Sequence, residues 1–178
     1  MSSGTYLSSD DSALLRSALS RYSGEACLEI GAGNGGGLIA LSKSFRLTVG
    51  TDLQRPSDLG GIGEKVNFVL ADAASCFREG SFDLVTFNPP YLPSEEIADR
   101  TVDGGEDGEA VTLRFLADAM RVSKREGDLV VLLSSENPLG PIERMCTEKG
   151  FSMNLLVKKH LFYETLSVYE IARIESGR

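Results

Sequence analysis

The tetrapeptide Asn88-Pro89-Pro90-Tyr91 is the segment whose residue types point most directly to a chemical role. It follows 82–87, an apolar run that predicts a buried strand. The two prolines remove two backbone donors and fix φ, so the loop is stiff and its carbonyl groups are available as acceptors. An asparagine side chain beside such carbonyls makes a cluster of acceptors that can hold an NH2 group. The tetrapeptide therefore indicates chemistry on a nitrogen atom.

A glycine-rich segment, 31–37, joins a predicted strand over 26–30 to a helix. Glycines at such a place let the backbone approach a ligand closely. The run by itself fits a dinucleotide, another nucleoside cofactor or a tight turn. Glu29 comes shortly before the first glycine, where its charge would repel a pyrophosphate and suits a cofactor that carries an ammonium group.

Two further acids follow the next two predicted strands, which cover 46–52 and 66–70. Asp52 closes the first of them and Asp72 comes directly after the second. Ligands bind at the carboxyl ends of the strands in open α/β sheets. Asp52 can accept hydrogen bonds from both hydroxyls of a ribose, and Asp72 can accept one from an adenine amino group. Together with Glu29, they favour S-adenosylmethionine, which contains an amino acid, a ribose and an adenine but no phosphate.

The elements that must position these residues alternate along the chain. Alternation of strands and helices predicts a mostly parallel sheet with helices on both faces, and a short last connection predicts an antiparallel hairpin. Asp10, Asp11 and Ser12 predict the cap of the first helix. Helices are predicted over 10–21, 108–123 and 141–149, with a short one that includes 38–41; the remaining strands are predicted over 128–133, 151–161 and 164–174.

The length and composition set the class of protein. With 178 residues and no internal repeat or low-complexity linker, the chain is expected to form a single domain, 1–178. No apolar run reaches the roughly 20 residues that span a bilayer, and the N-terminus lacks the features of a signal peptide. Cys27, Cys76 and Cys146 form no CxxC pair, so we expect reduced packing residues in a cytoplasmic protein and no metal site.

The net charge of −8 weighs against a nucleic-acid substrate. A protein that binds nucleic acid through its phosphates needs a basic face. The short basic runs at 121–125 and 158–160 are each interpreted as the end of a helix or strand.

In their order along the chain, the glycine loop, Asp52, Asp72 and the Asn-Pro-Pro-Tyr tetrapeptide resemble class I S-adenosylmethionine-dependent methyltransferases. Three further segments resemble the HemK-like glutamine methyltransferases: Tyr6-Leu7-Ser8-Ser9-Asp10-Asp11-Ser12, Asp103-Gly104-Gly105-Glu106-Asp107-Gly108 and Glu164-Thr165-Leu166-Ser167-Val168. The last is similar to the C-terminal strand of the short eukaryotic and archaeal branch. That branch methylates the glutamine of the Gly-Gly-Gln loop in class I release factors, and the resemblance spans nearly the whole chain.

The resemblance implies a Rossmann-like fold with a seven-stranded sheet in the order 3-2-1-4-5-7-6. It also implies S-adenosylmethionine as the cofactor, S-adenosylhomocysteine as the product and no metal. The Asn88 side-chain oxygen and the Pro89 carbonyl would accept the two N–H bonds of the acceptor amide, and Tyr91 would stack on its plane. The implied cofactor-binding residues are Tyr6, Asp11, Ser12, Glu29, Gly31, Gly33, Asp52, Leu53, Asp72, Ala73 and Asn88.

The expected strand order leaves Val66–Leu70 at a sheet edge. This strand has no proline or inward lysine, which are common devices against pairing with another chain. The eukaryotic and archaeal relatives use a small zinc-binding activator protein, so we expect a partner of that kind at this edge, besides a release factor as substrate.

Other functions remain open at this point. Asn-Pro-Pro-Tyr does not tell one planar amino group from another, so adenine or guanine in RNA or DNA is an alternative acceptor, although it calls for a basic face. Protein lysine is another, although a flexible amine does not need a planar clamp. An inactive scaffold would have lost its cofactor residues, whereas Glu29, Asp52, Asp72 and Asn88 are all present.

Overall fold

A computed structural model describes residues 7–54, 65–89 and 108–174, with backbone alone for 7–10 and 108. Tyr6, Pro90, Tyr91 and the glycine-rich segment 103–107 therefore lie outside the described residues. The elements in chain order are α1 Leu7–Leu19, β1 Gly24–Ile30, α2 Gly36–Leu41, β2 Phe45–Asp52, β3 Val66–Leu70, β4 Phe82–Phe87, α3 Gly108–Val122, β5 Ser123–Ser134, α4 Leu139–Glu148, β6 Phe151–His160 and β7 Thr165–Arg173.

The strands form a seven-stranded sheet in the order β3-β2-β1-β4-β5-β7-β6. The first five strands of this order pair in parallel, whereas β7 runs antiparallel to both β5 and β6. The expected strand order, the Rossmann-like fold and the C-terminal hairpin are confirmed.

Helices cover both faces of the sheet, and β4 shows how the faces are divided. Leu84 packs in the cluster that contains Leu15 and Leu19 of α1. Val85 and Phe87 pack in the cluster on the other face, with residues of α3 and α4. Since successive side chains of a strand point to opposite faces, the position after Phe87 returns to the face that α1 covers. This alternation directs Asn88 toward α1.

The predicted cap of the first helix is wrong. The helix α1 begins at Leu7, so Asp10, Asp11 and Ser12 lie within it and not ahead of it. Asp11 accepts a hydrogen bond from the backbone N–H of Ser12 over 2.7 Å, but its other oxygen serves a residue far away in the sequence, as described below.

The strand β5 begins at Ser123, not at the predicted residue 128. Its early part pairs with β4 through a bulge, after which the regular register starts at Leu84 and Asp128. Gly127 permits this bulge, because a Cβ there would lie 2.7 Å from the Ser123 hydroxyl oxygen and 2.9 Å from a carbonyl oxygen of β4. The strand therefore extends through a polar, glycine-containing sequence that has no strand pattern of its own.

All three cysteines are free. Cys27 and Cys146 are buried, as expected of packing residues, but Cys76 is exposed, so the packing role predicted for it is wrong. Within the described ranges, no helix is long and apolar enough to cross a membrane, and no group of three potential metal ligands occurs.

Candidate active site

A cavity of about 550 Å³ lies between α1 and the carboxyl ends of β1 and β4. The fold thus brings α1, the glycine loop and the residue after β4 to one place, although they are far apart in the sequence. Six predicted site residues line this cavity: Asp11, Ser12, Glu29, Gly31, Gly33 and Asn88.

The side chain of Asn88 is oriented by α1. Its Nδ2 donates a hydrogen bond to Oδ2 of Asp11 over 3.0 Å. A carboxylate accepts hydrogen bonds and cannot donate them, so the amide nitrogen must be the atom that faces Asp11. The Asn88 Oδ1 atom is consequently directed elsewhere, and it is buried without a hydrogen-bond partner among the described residues. An unpaired buried acceptor costs about 1–3 kcal/mol, so the atom is well suited to receive an N–H from a ligand.

The carboxyl group of Glu29 lies under the start of α2. A Cβ at Gly37 would stand 2.2 Å from Glu29 Oε1, so only glycine leaves room for the carboxylate at this position. Oε2 of Glu29 is buried and has no hydrogen-bond partner among the described residues. The glycine run therefore makes space for an acid, in addition to forming the turn in which Gly31 and Gly33 have φ of 69° and 53°.

Burial raises the pKa of Glu29 to about 8, although the charge of Arg16 and a hydrogen bond from the backbone of Leu38 act in the opposite direction. The carboxyl group is thus largely protonated at neutral pH. A cation placed beside it would favour its ionised form, because opposite charges a few ångströms apart stabilise each other. The site is built to respond to a positively charged ligand.

Asp52 ties the glycine loop to the end of β2. Its Oδ2 accepts from the backbone N–H of Gly33 over 3.0 Å, and its Oδ1 accepts from the backbone N–H of Gln54 over 3.1 Å. Each carboxylate oxygen has a second lone pair, so the predicted contact with a ribose stays a prediction. Leu53, the neighbouring predicted residue, is 56% exposed.

Asp72 pairs with α3. Its Oδ2 accepts from Arg114 Nη1 over 2.7 Å, and both side chains are about half exposed. Ala73 is buried and has a positive φ of 47°, which only a tightly held turn imposes on a residue with a side chain. The turn is held by Arg121, which donates to the carbonyl oxygens of Ala74 and Phe77. The structure does not place Asp52, Leu53, Asp72 or Ala73 on the cavity wall, and their cofactor roles stay predictions.

Arg16 and Asn34 line the cavity but were missed from the sequence. Arg16 lies one helical turn beyond Ser12, so helical spacing could have found it once Asp11 and Ser12 were chosen. A Cβ at Gly36 would stand 3.9 Å from its Nη1, which places this cation at the start of α2. Asn34 accepts a hydrogen bond from the backbone N–H of Gly36 over 3.1 Å and so shapes the loop.

The remaining predicted catalytic residues are only partly described. Pro89 is buried, and its role as an acceptor stays a prediction. Tyr6 and Tyr91 lie outside the described residues. His160 is exposed at the end of β6 and its Nδ1 lies 3.0 Å from the Thr165 hydroxyl, in agreement with the interpretation of the run 158–160 as the end of a strand.

Known proteins resemble the chain over nearly its full length. A protein of Methanocaldococcus jannaschii, provisionally named a protein N5-glutamine methyltransferase, is 29% identical over 95% of this chain and 92% of that protein. A chain of the E. cuniculi Mtq2–Trm112 complex, which is responsible for methylation of the translation termination factor eRF1, matches with a TM-score of 0.72. That match has 26% identity and covers 93% of this chain and 96% of the other. The chain is similar to named glutamine and eRF1 methyltransferases over nearly its whole length.

A second relative agrees over a shorter length. The catalytic subunit of the eRF1 methyltransferase of Schizosaccharomyces pombe is 32% identical over 100 residues, which cover 52% of this chain and 43% of that protein. No protein-family model matches the sequence. The resemblance to glutamine methyltransferases predicted from the sequence motifs is confirmed.

Proposed function

We propose that the chain transfers a methyl group to the side-chain amide nitrogen of a glutamine in a protein, in the Gly-Gly-Gln loop of a class I release factor. The observation that carries the proposal is that Asn88 lines the cavity and that its buried Oδ1 has no hydrogen-bond partner among the described residues. The relatives named for glutamine or eRF1 methylation support the choice of acceptor.

The acceptor nitrogen needs help because its lone pair is delocalised into the neighbouring carbonyl group. Asn88 Oδ1 would accept one N–H of the glutamine amide, and the Pro89 carbonyl is proposed to accept the other. Two acceptors on one nitrogen favour a tetrahedral geometry and stabilise the positive charge that grows there. The nitrogen gains a methyl group and then loses a proton to solvent. Tyr91 is proposed to lie against the plane of the amide.

The residues of the cavity fit S-adenosylmethionine. The unpartnered Glu29 Oε2 suits the ammonium group of an amino acid, and the Arg16 guanidinium suits its carboxylate. Asp52 is proposed to bind the ribose and Asp72 the adenine, each by sharing a carboxylate that now serves a backbone or an arginine donor. When bound, the cofactor supplies an electrophilic methyl group on a sulfonium, and the protein needs no metal to activate it.

We also propose that a small zinc-binding activator subunit covers the β3 edge. In the described part of the sheet, β3 pairs with β2 alone. None of its five residues is fully buried, and Leu70 is 61% exposed. An uncovered apolar edge strand is a surface for pairing with another chain. The similar E. cuniculi chain was solved as a complex of two proteins, which supports a partner here.

The experiment is a methyl-transfer assay with labelled S-adenosylmethionine, with and without the candidate activator, on a release factor and separately on RNA. We expect label in the release factor alone. Label in the RNA and none in the protein would overturn the proposal. The Asn88→Ala variant should lose transfer and keep cofactor binding, whereas loss of cofactor binding would make Asn88 a structural residue.

A further inference from the structure

The turn that joins β6 to β7 carries two adjacent aromatic side chains, Phe162 and Tyr163, that are almost wholly exposed. Their exposed fractions of 91% and 89% exceed those of the other exposed large hydrophobic residues in the described ranges. The two rings contact each other edge to face, with centroids 4.7 Å apart. Turns usually carry glycine, proline, asparagine, aspartate or serine, and aromatic residues concentrate at the centres of binding interfaces. The pair is therefore a candidate contact point for another molecule.

The aromatic pair stands on a rigid support. Leu161 N–H donates to the Glu164 carbonyl over 2.8 Å and closes the turn, and Thr165 and Ser135 exchange two hydrogen bonds of 2.9 and 3.1 Å. The Ser134 hydroxyl donates to the Glu164 carboxylate over 2.5 Å. Because the hairpin and the end of β5 are held in this way, little ordering of the backbone is needed when a partner binds.

The topology places this turn on the side of the sheet where the parallel strands have their carboxyl ends, which is the side that carries Asn88. Both β5 and β6 run antiparallel to β7, and β4 is parallel to β5. The carboxyl end of β6 therefore lies on the same side of the sheet as those of β5 and β4. Two strands separate β4 from β6. At a spacing of about 4.8 Å between strands, the turn is displaced sideways from the end of β4 by about 10–14 Å. The cavity of the proposed cofactor lies on the other side of β4, next to β1.

A lysine and a histidine lie beside the turn, whose own acid, Glu164, is held by the Ser134 hydroxyl. Lys158 and His160 lie at alternate positions of β6 and therefore on one face of it, and both are exposed. Lys158 thus places one positive charge beside the turn, in a protein whose net charge is −8. A polypeptide that offers an apolar side chain to the rings and an acidic one to Lys158 would fit the surface.

We propose that Phe162 and Tyr163 form a docking point for the protein acceptor and contact the polypeptide that flanks the methylated residue. The inference depends on the proposed function, since it assumes that the acceptor is a protein. A membrane surface or a second copy of the chain could also take exposed aromatic residues. The turn lies on the same side of the sheet as Asn88, at a distance that a few extended residues span. This position favours the protein acceptor over a membrane or a second copy.

The test compares two acceptors of different length. The variant with Phe162→Ser and Tyr163→Ser is assayed, in complex with the proposed activator subunit, on a release factor and on a pentapeptide with glutamine at its centre. Two residues on either side of the glutamine extend about 7 Å, too short to reach the turn. Leu155→Ser is the control, because Leu155 is an exposed apolar residue of β6 that lies away from the turn, with an exposed fraction of 52%.

We expect the double substitution to raise KM for the release factor by about tenfold or more, as for loss of an aromatic hot spot. The kcat value, KM for the cofactor, the melting temperature and turnover of the pentapeptide should stay unchanged, as should all values for Leu155→Ser.

An unchanged KM for the release factor would overturn the docking role alone, and so would an equal loss with the pentapeptide. Vesicle binding or dimer formation that the double substitution abolishes while KM is unchanged would assign the surface to a membrane or to a second copy. A wild-type enzyme that methylates neither acceptor would instead overturn the proposed function, and the docking role with it.

Discussion

Asp11 fixes the orientation of the Asn88 amide through a hydrogen bond. The two residues are 77 positions apart, and Nδ2 of Asn88 donates to Oδ2 of Asp11 over 3.0 Å. Asp11 is only 7% exposed, so this contact is made in a largely dry environment where it holds the amide firmly. The amide oxygen is thereby directed away from Asp11, and it is buried without a hydrogen-bond partner among the described residues. A residue of the first helix thus acts on the proposed methyl acceptor through a second side chain.

The first prediction concerns this positioning role. Asp11→Ala should lower kcat by about tenfold to a hundredfold, because the Asn88 amide is then free to rotate and small misplacements of a reacting group are costly. Asp11→Asn, whose side-chain oxygen can still accept from Nδ2, should keep most of the activity. The check is kcat together with the dissociation constant of S-adenosylhomocysteine. Equal losses in both variants would mean that the charge of Asp11, not its hydrogen bond, matters.

The second prediction concerns the space above Gly37. Gly37→Ala should weaken cofactor binding by about tenfold or more, because its methyl group would displace the Glu29 carboxylate, which lies 2.2 Å from the position of that Cβ. The fold should survive, since the end of a flexible side chain can move aside. Gly140→Ala is the control, because a Cβ at Gly140 meets nothing within 4 Å and this residue lies in α4, away from the cavity. Calorimetric titration with S-adenosylhomocysteine measures both, and equal affinities would refute the steric explanation.

The third prediction concerns pH. The pKa of Glu29 in the folded protein is raised to about 8 from an ordinary value of 4.5. Between these values the folded state binds a proton that the unfolded state has released, so the free energy of unfolding falls as pH rises. Denaturant titrations of the ligand-free protein should show this fall from about pH 4.5 to pH 8, and the Glu29→Gln variant should lack that component. Parallel pH profiles for the two proteins would contradict the assignment.

The same linkage predicts a proton release. A cationic group bound beside Glu29 favours its ionised form, so cofactor binding at pH 7 should expel a proton. Calorimetry of the wild-type protein in two buffers with different ionisation enthalpies measures this release. The Glu29→Gln variant should release none, and wild-type binding without any release would show that the ammonium group lies elsewhere.

The fifth prediction concerns the β3 edge. Leu70 is 61% exposed and offers an apolar surface to a partner. Leu70→Asp should weaken binding of the proposed activator subunit, because the complex would then bury a charge at this position. Leu155→Asp is the control, since Leu155 is similarly exposed but lies on β6, at the opposite edge of the sheet. Co-purification and size-exclusion chromatography report the complex. Loss of the complex in both variants would point to general destabilisation.

The sequence predicted β1 to β4 well because these strands are short and apolar and end in polar turns. The bounds of β3 and β4 agree with the structure, and so do the positions of Glu29 and Asn88 at the ends of their strands. The strand order followed from the family resemblance and not from any local pattern. The strand pattern did predict that the acids and the Asn88 amide lie together at the carboxyl ends of the strands.

Contacts between distant residues explain what the sequence could not provide. The early part of β5 is held to β4 partly by Lys124, which donates to Asp83 over 2.6 Å, and no local pattern reveals such a pairing. In the same way, nothing near Asp72 in the sequence shows that Arg114 occupies its carboxylate. The hydrogen bond between Asp11 and Asn88 could be inferred only after the fold had brought α1 over the end of β4.

The most direct test of the proposed activity is to locate the methyl group. A class I release factor is incubated with the chain, its activator subunit and labelled S-adenosylmethionine, and the modified peptide is sequenced by mass spectrometry. We expect a single methyl group on the side-chain nitrogen of the glutamine in the Gly-Gly-Gln loop, absent with the Asn88→Ala variant. A methyl group on a lysine, or label found only in added RNA, would contradict the proposal that the two acceptors, Asn88 Oδ1 and the Pro89 carbonyl, select a glutamine amide.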